Sequence, residues 1–252
     1  MHDDQRQNRE QEFWGHHLPS VEECVAKFRA GPDPNTAAML EAVEPVSGAR
    51  VLDFACGAGV VSAWLVARGA DVVGLDLSPE SVERSQEVLR HLGLRATFVT
   101  GVLEDADDLG VFDAIVGRYA LHHTDVPQLA PVLAQRLRPG GKAAFLETFA
   151  SNPLMRLSRR FLVGRLGIQR LGTLDEHPLT ASDVEALRSG FGSATIRVER
   201  MRFRRIFDRQ VLRRRSRPLS SALAALDDAL NRVPKTEWLS YQQVLVLEKV
   251  LA

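Results

Sequence analysis

Asp53-Phe54-Ala55-Cys56-Gly57-Ala58-Gly59 is the stretch that decides the fold of this 252-residue chain. It continues a short apolar run from Arg50, read as a buried strand. It then opens a helix predicted over residues 60–68 and stopped by Gly69. Gly57 and Gly59 permit a tight turn and close backbone approach to a ligand, and the helix start offers N–H groups without intrahelical partners. Working outward, residues 71–75 read as a second strand ending at Asp76. Residues 79–91 read as a helix with Ser78 as N-cap and Gly93 behind it. Residues 96–100, 112–117 and 142–148 read as further strands, with a helix over about 125–137 between the last two. Strands and helices alternating at this spacing predict an α/β fold, a doubly wound and mostly parallel sheet with helices on both faces. In such sheets ligands lie beyond the carboxyl ends of the strands, where the glycine loop and Asp76 fall.

Composition bounds the class. Apolar residues make up 45% and charged residues 25%, which excludes collagen, a disordered tail and a disulfide-stapled mini-protein. Two cysteines, a polar N-terminal decapeptide and the lack of a membrane-length apolar run lead to the expectation of a soluble, cytoplasmic protein that is not transmembrane. Net charge is zero, yet residues 1–150 hold 13 Lys and Arg against 22 Asp and Glu, and residues 151–252 hold 19 against 10. Arg202, Arg204, Arg205, Arg213, Arg214, Arg215 and Arg217 form the densest basic segments. They read either as solvated surface or as contacts for a phosphate, an acidic carrier protein or an anionic membrane. Few aromatics accompany them, which argues against single-stranded nucleic acid.

The ends of the chain read differently. Residues 1–45 are expected to form an N-terminal helical lid, with Ser20 and Glu23 in a capping-box pattern and a second helix from about Pro34 to before Pro45. Residues 46–252 are expected to form the main domain, with cap insertions at about 151–180 and 205–236. A helix over 182–189 capped by Ser182 and late strands over 194–203 and 243–251 complete the reading.

Ser62 stands where the dinucleotide fingerprint carries a third small residue, so the loop only nearly matches it. An acid at the Asp76 position serves NAD and S-adenosylmethionine sites alike. Further motifs separate the two. Val51-Leu-Asp-Phe-Ala-Cys-Gly-Ala-Gly59, Val73-Gly-Leu-Asp-Leu-Ser-Pro79, Phe112-Asp-Ala-Ile-Val116 with Ala120-Leu-His-His123, and Leu137-Arg-Pro-Gly-Gly-Lys142 occur in that order. Over residues 48–148 the chain thereby resembles the class I S-adenosylmethionine-dependent methyltransferases, in particular the small-molecule branch related to ubiquinone/menaquinone C-methyltransferases.

That resemblance implies a Rossmann-like methyltransferase fold with a helical cap and S-adenosyl-L-methionine as cofactor, with S-adenosyl-L-homocysteine as product. It implies that Asp53, Ala55, Cys56, Gly57 and Gly59 surround the amino-acid end of the cofactor, that Asp76 holds the ribose and that Leu77 packs on adenine. Val102 stands where the family carries an acid, which hands adenine recognition to the Leu103 backbone with Glu104 or Asp105. Gly117 and Arg118 are placed near the methionine moiety or the sulfonium.

The acceptor end is read from position. His122 and His123 follow strand four and are candidate bases, because imidazole is partly neutral near pH 7; capping of the next helix is the competing role. Tyr119 reads as a pocket wall or a packing residue, and Glu147 as facing the same rim or capping a helix. His177 reads as a substrate contact or a loop cap, and Trp14 as part of the lid or an anchor. No histidine or cysteine spacing matches a metal site. Gly117-Arg-Tyr-Ala120 lacks the Asn/Asp-Pro-Pro-aromatic motif of amino-methylating DNA enzymes, so DNA is excluded and RNA disfavoured. The expected reaction is methyl transfer to a small organic acceptor. Its rivals are another use of the cofactor, such as cyclisation, and a cofactor-binding scaffold without chemistry.

Overall fold

In the computed structural model the described residues are 18–149, 178–197 and 242–250, with Ser240 and six helical positions between Pro218 and Ala229. The chain begins there with α1 (Val21–Ala30) and α2 (Pro34–Ala42). Ser20 and Glu23 close the expected capping box on α1, and the Asp33 side chain caps α2 ahead of its first-turn proline. Then follow β1 (Arg50–Phe54), α3 (Val60–Val66), β2 (Asp71–Asp76), α4 (Pro79–Leu92), β3 (Thr97–Thr100) and β4 (Phe112–Arg118). After these come α5 (Val126–Arg136), β5 (Leu137–Thr148), α6 (Ala181–Phe191), β6 (Gly192–Arg197) and β7 (Gln242–Lys249).

The sheet has seven strands in the order β3-β2-β1-β4-β5-β7-β6. Pairs from β3 to β5 are parallel, whereas β7 runs antiparallel to both β5 and β6. The order reverses between β1 and β4, and their carboxyl ends carry the glycine loop and Arg118.

Strand alternation sends side chains to two cores. Leu52, Phe54, Ile115 and Phe145 pack under α5 and α6 with Leu129, Leu133, Leu187 and Phe191. Val51, Val72, Val116 and Leu146 pack on the opposite face with Met39, Leu40, Val61, Leu65 and Leu89 from the helices α2 to α4. Met39 and Leu40 are fully buried, each such side chain contributing about 1.5–3 kcal/mol. Helix α2 is therefore built into the domain.

Two boundaries differ from the sequence reading. Strand β5 starts at Leu137 because Phe112 pairs with Leu137 while Ala114 pairs with Lys142, leaving residues 138–141 in the irregularity between them. A Cβ on Gly141 would lie 2.8 Å from the Asp113 carbonyl oxygen, so only glycine fits that close approach. Helix α6 is capped by Thr180 in a capping box with Asp183, not by Ser182, because Thr180 has the extended backbone an N-cap requires. Residues 198–203 of the expected late strand, and both cap insertions save 178–180 and the scattered helical positions, lie outside the described residues.

Candidate active site

The floor of the site is the turn after β1. Ala55, Gly57 and Gly59 all have positive φ (56°, 55° and 73°), which folds the chain sharply between β1 and α3. The Cys56 N–H donates to the Leu75 carbonyl at 3.0 Å, tying the turn to β2. A Cβ on Gly59 would lie 2.9 Å from Ser85 Cβ and 3.0 Å from Ser85 Cα, so this glycine lets α4 approach the turn. A Cβ on Gly57 would meet nothing within 4 Å, and this side of the loop faces open space. That open face is where a ligand can approach backbone.

Asp76 closes the loop from the end of β2. Its Oδ2 accepts from the Gly57 N–H at 2.8 Å and its Oδ1 from the Ser78 N–H at 3.0 Å. Burial pushes its carboxyl above the ordinary range, against the hydrogen bonds from Ser78 and Gly57. A carboxylate offers about four lone-pair sites, so beside these bonds and the Ser81 side chain one remains for a ligand hydroxyl. Leu77 is half-buried beside it, while Ala55 is exposed on the loop.

Asp53 lies deeper. It is 1% exposed and accepts the Ser62 hydroxyl on Oδ2 at 2.5 Å. Burial pushes its carboxyl up to about 7, opposed by the Ser62 hydrogen bond and reinforced by the charge of Asp76. Ser62, the residue that spoils the fingerprint, is therefore the partner that makes a buried acid tolerable. Cys56 is buried too, and its thiol is pushed well above the ordinary range by that burial. It reaches a ligand only through its backbone.

On the β3 side, the Gly101 N–H donates to the Asp76 carbonyl at 2.9 Å, bringing the ends of β2 and β3 together. Leu103 is fully buried in the core, so only its backbone could meet a ligand, while Val102 is half-buried and Glu104 and Asp105 are exposed.

The β4 end carries the acceptor-side candidates. Gly117 is buried, and a Cβ there would sit 2.6 Å from the Phe145 ring, so only glycine fits against that ring. The Arg118 guanidinium turns toward α2. Its Nε donates to Thr36 Oγ1 at 3.2 Å, Asp33 Oδ2 lies 3.9 Å from Nη2, and the Tyr119 ring lies 4.6 Å below. Tyr119 has φ of 59° and donates its N–H to the Leu146 carbonyl at 2.8 Å, so the chain turns abruptly at the strand end.

Of the two readings of Glu147, facing the rim or capping a helix, the structure fits the second: the carboxylate caps the helical turn over residues 121–123. It is fully buried and does not face the open rim, because the turn after β4 folds over it. Its Oε1 accepts the N–H groups of Ala120 and Leu121, both at 2.7 Å, and its Oε2 lies 2.7 Å from His122 Nδ1. His122 is 9% exposed, and its ring lies 4.1 Å from that of His123. His123 is half-buried and close enough for a positive charge there to favour ionised Asp76. The structure thus brings His122, His123 and Glu147 together, with His123 the member that acts on Asp76. Trp14 and His177 lie outside the described residues. Among the described residues no group of His, Cys, Asp and Glu could hold a metal ion.

Asp33, Thr36, Ser62 and Ser85 were not singled out as site residues by sequence. Asp33-Pro34 carries a visible capping signal, but its link to Arg118 spans 85 positions and has no local signature.

Residues 51–141 match the family described as Methyltransferase domain. The Ubiquinone biosynthesis O-methyltransferase of Xanthomonas axonopodis pv. citri (strain 306) is 36% identical over 114 residues, 44% of this chain and 47% of that protein. The Magnesium-protoporphyrin O-methyltransferase of Rhodobacter capsulatus is 33% identical over 124 residues, 47% of this chain and 55% of that protein. The chain spans about half the length of the curated relatives it matches. The solved geranyl diphosphate C-methyltransferase from Streptomyces coelicolor A3(2) superposes with a TM-score of 0.61 over 97% of this chain and 98% of that one, at 12% identity. That likeness is one of fold.

Proposed function

We propose that this chain is a class I S-adenosylmethionine-dependent methyltransferase, a reading supported by the methyltransferase family match over residues 51–141 and by its O-methyltransferase relatives, and that it transfers the cofactor's methyl group to a small organic acceptor. The observation that carries the reading is Asp76, whose carboxylate closes on the Gly57 N–H beside a glycine face open to a ligand. Those residues fit a nucleoside bearing an amino-acid arm: Asp76 for the ribose hydroxyls, Leu77 and the Leu103 backbone with Val102 and Glu104 for adenine, and the loop from Asp53 to Gly59 for the arm. When bound, S-adenosylmethionine supplies an electrophilic methyl on a sulfonium, so the protein chiefly has to align the acceptor and keep water away.

The acceptor's place in this proposal is the turn after β4, where Tyr119, His122 and His123 stand. Relatives named for O-methyl transfer in ubiquinone biosynthesis and on magnesium protoporphyrin support a small-molecule acceptor here. Arg118 stays close to this end but works through its bonds to α2, fixing the wall against which the arm and acceptor would lie. Two cysteines without a disulfide, Cys24 and Cys56, support a cytoplasmic setting. Among the described residues no helix is long and apolar enough to cross a membrane.

Calorimetry with S-adenosylmethionine tests the site. Asp76→Ala is expected to weaken binding by about 1–3 kcal/mol, the scale for losing charged hydrogen-bond partners. Unchanged affinity in a variant with the parent's circular dichroism would remove Asp76 from the site and the reading with it.

A further inference from the structure

A buried hydroxyl orients the peptide at the centre of the glycine loop. Ser81 and Ser85 stand four residues apart on one face of α4, both buried, Ser81 beside Asp76 and Ser85 against Gly57. Ser85 Oγ donates to the Gly57 carbonyl at 2.7 Å, with a weaker contact to the Cys56 thiol at 3.9 Å. Packing does not account for this hydroxyl. The close approach of α4 to Gly59 is made at Ser85 Cα and Cβ, which alanine also has. A fully enclosed hydroxyl is costly unless it is bonded, and this one bonds to the loop.

That bond fixes a direction. A trans peptide points its carbonyl and its N–H opposite ways, so the Gly57 carbonyl held toward α4 sends the Ala58 N–H away from α4. Among the described residues that N–H has no hydrogen-bond partner. The Gly57 N–H belongs to the preceding peptide and is bound separately to Asp76 Oδ2. Gly57 is well suited to turn, with φ of 55° and open space where a Cβ would stand. Without the Ser85 donor its carbonyl is an acceptor left unpaired, and turning the peptide relieves that cost.

We propose that Ser85 is a positioning residue for the cofactor's amino-acid arm, orienting the peptide between Gly57 and Ala58 so that the Ala58 N–H meets the arm's carboxylate. The proposal rests on the methyltransferase reading above and adds a residue outside every cofactor motif of the sequence. Ser85 is enclosed and meets no ligand itself; the ribose is left to Asp76.

S-adenosylhomocysteine and methylthioadenosine test this, because they share the nucleoside and the thioether and differ in the amino-acid arm. Calorimetry is expected to find S-adenosylhomocysteine weakened about 5–30-fold in Ser85→Ala, the scale of one unpaired buried acceptor, with methylthioadenosine held within about twofold. Asp76→Ala is expected to weaken both ligands. Carbon NMR of the ligand-free protein reads the bond itself: the Gly57 carbonyl carbon is expected to move upfield in Ser85→Ala. Unchanged affinity for S-adenosylhomocysteine, an equal loss for both ligands, or an unmoved Gly57 carbonyl overturns the proposal. A parent that binds neither nucleoside overturns the methyltransferase reading and the arm's seat with it. Failure of Ser85 alone leaves the parent's affinity and the Asp76→Ala loss in place.

Discussion

Replacing Asp53 with Asn tests the electrostatics beneath the glycine loop. The carboxyl is fully enclosed, and burial raises its titration point from 3.8 to about 7, with the Ser62 hydrogen bond opposing and Asp76 adding to the rise. In the unfolded chain Asp53 titrates at its ordinary value. Between about pH 4 and pH 7 the folded protein therefore holds a proton that the unfolded chain has released. The associated stability is fully present below that window and is lost as pH rises through it, at about 1.4 kcal/mol per pH unit and roughly 4 kcal/mol in all. Asn carries no such proton but keeps an oxygen to accept the Ser62 hydroxyl. Urea unfolding of both proteins at about pH 5 and about pH 8.5 isolates this effect, since most other titrations are common to both. About two pH units of the window remain between those conditions, so the variant is expected to gain roughly 2–3 kcal/mol relative to the parent on going to the higher pH. A difference between the two proteins that does not change with pH would mean that buried Asp53 holds no extra proton across this window.

Two further outcomes follow from the same site. S-adenosylmethionine bears a net positive charge, so binding beside Asp53 should favour its ionised form: affinity measured by calorimetry should rise as pH increases toward about 7 and then level off, and should stay flat in Asp53→Asn. Gly59→Ala forces a Cβ to within 2.9 Å of Ser85 Cβ at a φ of 73°, whereas Gly57→Ala meets open space and carries only the cost of its left-handed backbone, about 1–2 kcal/mol. Denaturant unfolding should find Gly59→Ala the more damaging to stability, while calorimetry should find that Gly57→Ala impairs cofactor binding.

The parallel half of the sheet was legible because its signals are local. Apolar runs, the Gly57–Gly59 turn, Ser78 as a cap and Gly93 as a stop each act within one turn of chain, and the structure carries all of them. The antiparallel placement of β7 between β5 and β6 was not legible, since it depends on pairings about a hundred residues apart, such as Thr148 with Gln242. At the site, position after a strand puts His122, His123 and Glu147 near one end of the sheet, and their side chains are neighbours there. It could not say that Glu147 lies beneath the turn, because that depends on the positive φ of Tyr119 reversing the chain over β5. Ser62 looked like a defect in a glycine motif until its hydroxyl was seen on Asp53.

Methyl transfer to a small molecule can be followed by the label itself. The protein is incubated with methyl-labelled S-adenosylmethionine and a mixed extract containing metabolites, RNA and protein, and the fractions are then separated. S-adenosylhomocysteine is expected to form in step with label entering the small-molecule fraction. Cofactor binding without S-adenosylhomocysteine, or label confined to RNA or protein, would contradict small-molecule methyl transfer.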